Sequence, residues 1–163
     1  MRWRRWLLVV AGYLLAAGIV GLSAATGWFY WDRVQSRGEQ AARAVLPQLA
    51  AREIPEVFAY DYQTVERSLA ETYPLLTPDY RQEFQKSANT QIIPEAKKRE
   101  VVVQANVVGV GVMSAKRDSA SVMVYLNRTV TDKSRQPLYD GSRLRVDFKR
   151  IGEKWLIAYI TPI

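Results

Sequence analysis

The sequence predicts an α+β fold: a single N-terminal transmembrane helix, then about three helices packed on a curved four-stranded antiparallel sheet. Three observations predict it. Residues from Trp6 to Trp31 carry no charge, while all 16 acidic residues lie beyond them. Apolar residues recur at helical spacing as far as Ile93, and at Val101 the period changes to that of strands. Leu144, Val146 and Phe148 then alternate with Arg143, Arg145, Asp147 and Lys149, the signature of a half-buried strand. Helices first and strands after them place the helices on one face of the sheet.

The first element is the apolar stretch 6–31. About 20 apolar residues suffice to span a bilayer as a helix. Trp3 and Trp6 mark one end and Trp28 and Trp31 the other, as expected of rings that settle at the two membrane interfaces. Arg2, Arg4 and Arg5 crowd the near side, which favours a cytoplasmic segment 1–5 and an extracytoplasmic remainder. A cleaved signal peptide ending near Ser23-Ala24-Ala25 is the competing reading. The apolar stretch runs on past those small residues into the aromatic belt, which favours an uncleaved anchor in the inner membrane. Gly12, Gly18 and Gly21 would let it approach another membrane helix, although their spacing is not a clean small-residue motif.

A juxtamembrane first helix is expected over 32–58, with the remainder of the domain over 59–163. Ala42, Val45, Leu46, Leu49, Ala50, Ile54, Val57 and Phe58 form its apolar stripe. Pro47 and Pro55 lie off the stripe and should bend or split the helix, and Gly38 is a candidate hinge. Thr64 can cap a second helix bearing Val65, Leu69 and Tyr73 on one side. Thr77-Pro78-Asp79 reads as a cap, a first-turn proline and a first-turn acid, opening a third helix through Tyr80, Phe84 and Ala88. Pro94 leaves its continuation toward Lys98 open.

Val101 to Met113 is a valine-rich strand with Gly109 and Gly111 as bulge or bend points. A turn at Lys116-Arg117-Asp118 leads to Ala120, Val122, Val124, Leu126 and Val130 on alternate positions. A polar loop is expected to hold Pro137 and Asp140-Gly141. The strand around Val146 follows, then a tight turn at Gly152-Glu153 and a last strand over Trp155 to Ile160.

Composition excludes whole classes of chemistry. The 163 residues include no cysteine and no histidine, which removes disulfides, thiolate nucleophiles, the usual zinc sites and histidine-based triads. Three of the 23 basic residues precede the apolar stretch, so the rest of the chain carries only +4 of the net +7. No catalytic, cofactor-binding or metal-ligating residues are assigned. Tyr60-Asp61-Tyr62 reads foremost as a helix terminus with Asp61 accepting turn amides. A tyrosine paired with a buried acid could stabilise an oxyanion, but Asp147 sits on the polar phase of its strand and no acid is placed inside an apolar face. Arg143, Arg145, Lys149 and Arg150 form a basic stretch that reads as a solvated strand face, with a partner's acidic surface or anionic headgroups as the functional alternative. Nucleic acid is not expected, since Asp147 interrupts the patch and the domain faces out of the cytoplasm.

The order of parts matches the cone-shaped domains of the nuclear transport factor 2 (NTF2) type. Ala59-Tyr60-Asp61-Tyr62-Gln63-Thr64-Val65 and Leu76-Thr77-Pro78-Asp79-Tyr80-Arg81-Gln82-Glu83-Phe84 resemble the "SYDYRTL … LTGDFRxEF" pattern of the actinobacterial Mce-associated membrane proteins. Gly141-Ser142-Arg143-Leu144-Arg145-Val146, Lys154-Trp155-Leu156-Ile157 and the ending Thr161-Pro162-Ile163 are similar to that family's close. Thr77-Pro78 departs from the usual Thr-Gly. The resemblance, over Arg43 to Ile163, implies an accessory protein that stabilises Mce-type lipid transporters of the envelope without catalysis. Its implied partners are transporter subunits or other envelope membrane proteins, and lipid if the cleft is open. A similar plan occurs in type IV secretion assembly subunits, so an assembly scaffold and a lipid-binding domain are the alternative readings.

Overall fold

A computed structural model describes residues 36–163. The expected cytoplasmic segment, the anchor 6–31, and Trp3, Trp6, Trp28 and Trp31 lie outside the described residues. Among the described residues no helix is long and apolar enough to cross a membrane.

Helix α1 is continuous over 36–58. Ala42, Leu46, Ala50, Ile54 and Val57 are buried at three- and four-residue spacing, while Val45, placed on the stripe by its sequence spacing, is half exposed. Pro47 and Pro55 do not split it. A proline inside a helix costs about 3 kcal/mol, and burial of one large aliphatic side chain returns roughly 1.5–3 kcal/mol. Several such side chains on α1 outweigh both prolines. Gly38 lies near the start of the described part of α1. A Cβ there would lie 3.0 Å from the Arg117 side chain, so the glycine allows α1 to approach the turn between the first two long strands.

The chain then forms strand β1 (Tyr60–Asp61), helix α2 (Val65–Thr72), a 3-10 turn (Tyr73–Leu75), helix α3 (Pro78–Ser87), a π-helical turn (Ala88–Ile92) and helix α4 (Ile93–Arg99). Thr64 and Thr77 occupy the N-cap positions of α2 and α3, with Pro78 opening α3, but neither threonine side chain makes the expected capping hydrogen bond. The helix does continue beyond Pro94. The wider π turn just before it loosens the hydrogen-bond ladder where proline has no amide to donate. Glu100, at φ 52°, ends α4 in the left-handed region.

Four long strands follow: β2 (Val102–Ala115), β3 (Ser119–Thr131), β4 (Leu138–Ile151) and β5 (Lys154–Pro162). The sheet has five strands in the order β1-β2-β3-β4-β5, all antiparallel, where four were expected. The added strand is Tyr60–Asp61, within the stretch expected to end a helix; Tyr60 pairs with Val103 and Asp61 with Val102. Asp61 still accepts a turn amide, from Gln63 at 2.8 Å.

Register shifts on β2 fall at Val108 and Met113, so Gly109 flanks the first bulge and Gly111 lies in regular pairing. Asp140 and Gly141 are strand residues paired with Arg128 and Asn127, not loop residues as expected. Inward positions Val122, Val124, Leu126, Leu144, Val146 and Phe148 meet the buried stripe of α1 in the main core. A smaller core joins Val65 and Leu69 of α2 to Ala88, Ala96, Val101 and Val103.

Candidate functional site

The concave face of the sheet is filled at one end and open at the other. On β3 the inward positions run Ala120, Val122, Val124 and Leu126, all buried, and continue in phase to Arg128 and Val130. Beyond Leu126 the helices stand off from the sheet. A cavity of about 920 Å³ opens there, walled by Phe58, Leu69, Phe84, Ile92 and Val103, with Leu138 and Tyr139 at its rim. The π turn contributes Thr90, Gln91 and Ile92 to the opposite wall, a common location for such turns. A smaller recess of about 290 Å³ shares Phe58, Phe84 and Arg128 and reaches toward Tyr80 and Ile160.

Arg128 is the polar centre of this region. Its Nε donates to Asp140 Oδ2 at 3.1 Å, a second nitrogen reaches the same oxygen, and that nitrogen also lies 3.4 Å from Ser142 Oγ. Ser142 donates to the same carboxylate at 3.0 Å. The guanidinium lies 5.8 Å from the centre of the Phe58 ring, within cation–π range. Hydrogen bonds from Arg128 and then Ser142 hold the Asp140 carboxyl below its ordinary range. Nearby, Arg99 and Asp132 pair at 2.9 Å, and hydrogen bonds from Ser134 and Arg99 lower Asp132 to about 2.

Tyr60 and Tyr80 hold their protons tightly. Burial raises Tyr60, and burial with neighbouring negative charge pushes Tyr80 up to about 12. Tyr80 sits 5.3 Å from the Tyr159 ring and 6.3 Å from Phe84. Among the described residues there is no group of three or more carboxylates, histidines or cysteines that could hold a metal. What the cavity offers is mainly apolar contact, with two guanidiniums, Arg128 and Arg99, each already paired to a carboxylate, and the polar side chains of Thr90 and Gln91.

The acids correct one expectation. Asp140 does lie on the apolar phase of its strand, and Glu53 is buried on α1 with its Oε2 unpartnered. Burial raises the Glu53 carboxyl, opposed by Arg52. The parity of Arg128 with Val122 and Leu126 was the available signal for its inward position. The signal for Asp140 was masked because Asp-Gly imitates a turn.

The basic candidates are not one cluster. Arg143, Arg145 and Lys149 share the outer face of β4, exposed, with Arg145 paired to Asp147 at 3.0 Å. Ser121 also hydrogen-bonds Asp147, which therefore stands on the polar phase as expected. Arg150 has the opposite parity, at the end of the strand beside Trp155.

The motif residues around α3 carry the framework. Arg81 donates to the Tyr73 carbonyl at 2.8 Å and lies 3.4 Å from that of Leu76, tying α3 to the 3-10 turn. Thr77 donates its amide to Ile157 at 2.9 Å, and Leu76 forms a parallel bridge with Ile157.

No family model matches the chain. A Mycobacterium tuberculosis protein named outer membrane protein Rv1973 is 26% identical over 158 residues, covering 97% of this chain and 99% of that protein. The fold is similar to that of an IcmL-like type IV secretion system protein from Legionella pneumophila, with a TM-score of 0.63 and 16% identity over 74% of this chain and 93% of that one. It is equally similar to the periplasmic domain of DotI, at a TM-score of 0.64 and 13% identity over 74% and 94% of the two chains. At these identities the likeness to the solved structures is one of fold.

Proposed function

We propose that this chain is a non-enzymatic subunit of a multiprotein complex in the cell envelope, which it stabilises through protein contacts. The observation that supports this most is the domain itself: helices on a curled sheet, shared over 74% of the chain with a domain described as periplasmic. The complex we assign is an Mce-type lipid transporter, because the segments around Tyr60-Asp61-Tyr62 and Thr77 to Phe84 resemble Mce-associated proteins. Those segments set the turn after β1 and tie α3 to β5, so the resemblance lies in residues that build the domain. The chain would sit in the inner membrane as a single-pass protein, N-terminus in the cytoplasm, with the sheet domain outside. Arg143, Arg145 and Lys149 would then meet an acidic partner surface or anionic headgroups.

Affinity purification of the full chain in a native detergent tests this. Transporter subunits are expected to co-purify, and deletion of the chain to lower their levels. Recovery of none, with normal levels after deletion, overturns the assignment. Recovery of secretion-complex proteins instead would make the chain the assembly scaffold of a type IV secretion-like complex, the reading its structural neighbours favour.

The open cavity supports a second reading, a lipid-binding domain. Its walls are mostly apolar and its volume is on the scale of small-ligand pockets. Mass spectrometry of the purified chain under native conditions should then detect retained acyl lipid. A ligand-free chain that also fails to take up added fatty acid excludes it.

A further inference from the structure

The charged residues that line the open cavity are Arg99, Arg128, Glu95 and Asp140, and their charges cancel. Arg128 is paired with Asp140, while Arg99 pairs with Asp132 at 2.9 Å and lies 3.7 Å from Glu95. The other polar wall residues, Tyr60, Thr90, Gln91 and Tyr139, carry no charge. Within the central ion pair the hydrogen bonds are unevenly shared. Arg128 Nε, Arg128 Nη2 and Ser142 Oγ all donate to a single oxygen of Asp140, Oδ2. Among the described residues Asp140 Oδ1 accepts from nothing and Arg128 Nη1 donates to nothing. One ion pair on the cavity wall thus keeps both a free donor and a free, ionised acceptor.

Building on the lipid-binding reading, we infer that the cavity takes an uncharged amphiphile with a hydroxyl-bearing head, of the monoacylglycerol kind, and selects it over the corresponding carboxylate. A hydroxyl can accept from Arg128 Nη1 and donate to Asp140 Oδ1 at once, leaving the ion pair intact. A carboxylate only accepts, so beside Arg128 it meets the charge of Asp140 or must displace it. Asp140 keeps that charge at neutral pH, since Arg128 and then Ser142 hold its carboxyl below the ordinary range. Phe58, Leu69, Phe84 and Val103 offer the same apolar contact to either chain, so the head decides between them. The Arg128 and Asp140 side chains are 32% and 39% exposed, and water screens the repulsion. The preference should therefore be about tenfold and not absolute.

The test is a competition. The purified full chain is incubated with equimolar monopalmitoylglycerol and palmitate, freed of excess, and read by native mass spectrometry. Both should be retained, the glyceride about tenfold more than the acid. Asp140→Asn leaves Arg128 without its counter-charge and should bring that ratio to unity or reverse it. Equal or greater retention of palmitate by the wild-type chain overturns the head-group preference and leaves lipid binding standing. Retention of neither overturns both. A ratio that Asp140→Asn leaves unchanged also overturns the preference, because the glyceride would then be held away from the ion pair. Should that variant fail to fold, the wild-type ratio decides alone.

Discussion

The filled and open ends of the concave face are built by the same two strands in the same phase, yet they behave differently. From Ala120 to Leu126 and from Leu144 to Phe148, every inward position is apolar and buried under α1. Further along the same alternation stand Arg128, Ser142 and Asp140, bordering the cavity or the smaller recess beside it. The lesson is that strand periodicity assigns a face, while the helix above decides whether that face is core or cleft. Polar residues are tolerated at the open end because they satisfy one another and reach solvent.

The comparison is tested most severely at the filled end. Phe148→Ala should lower the unfolding free energy by about 3–5 kcal/mol in denaturant titration, the usual cost of emptying a core aromatic. A loss below about 1 kcal/mol would mean that the end is not close-packed. Glu53→Gln should act in the opposite direction and stabilise the domain by about 1–2 kcal/mol at neutral pH. Its folded carboxyl is raised by burial, so the native state holds the proton longer than the unfolded chain. The stability that this proton supplies is complete below the ordinary glutamate range and is lost as pH rises through the folded value. The variant should therefore flatten stability against pH on the alkaline side of that range.

Asp140→Asn probes the open end and should cost only about 0.5–1 kcal/mol near neutrality, because the Arg128 pair is partly screened by water. Here the folded carboxyl is lowered. Its contribution is present above the ordinary aspartate range and disappears as pH falls through the folded value, so wild type and variant should converge in acid. Tyr139→Ser at the rim should change stability by less than about 0.5 kcal/mol, since the ring is 76% exposed. If the cavity holds an acyl chain, the same variant should weaken its retention, which separates a binding role from a folding one.

The strands were legible because half-buried strands write a period of two, and β3 and β4 do so without interruption. The starts of α2 and α3 at Thr64 and Thr77 were legible for a local reason as well, since a helix start depends on neighbours in sequence, although neither threonine side chain caps its helix. Three features were not. The unbroken course of α1 through Pro47 and Pro55 depends on a buried stripe whose partners lie far along the chain. β1 exists only because the start of β2 offers an edge to Tyr60 and Asp61. The Arg128–Asp140–Ser142 group depends on register between two strands, and Asp-Gly carries a turn signal that the ladder overrides. In each case a long-range contact overrules a local preference.

The order of the elements has a consequence for how the molecule is made. β2 to β5 follow one another as a simple meander, so their pairings join neighbouring segments and can form quickly. Helix α1 is synthesised first, yet its buried face needs the strands synthesised last; Val57 and Ile157 share one core although a hundred residues separate them. Until β3 and β4 emerge, Leu46, Ile54 and Val57 have no sheet to cover them, and the cover is complete only when β5 adds Ile157. A growing chain of this protein thus exposes an amphipathic helix for most of its synthesis, and premature termination before β5 would release a sticky fragment, not a smaller domain.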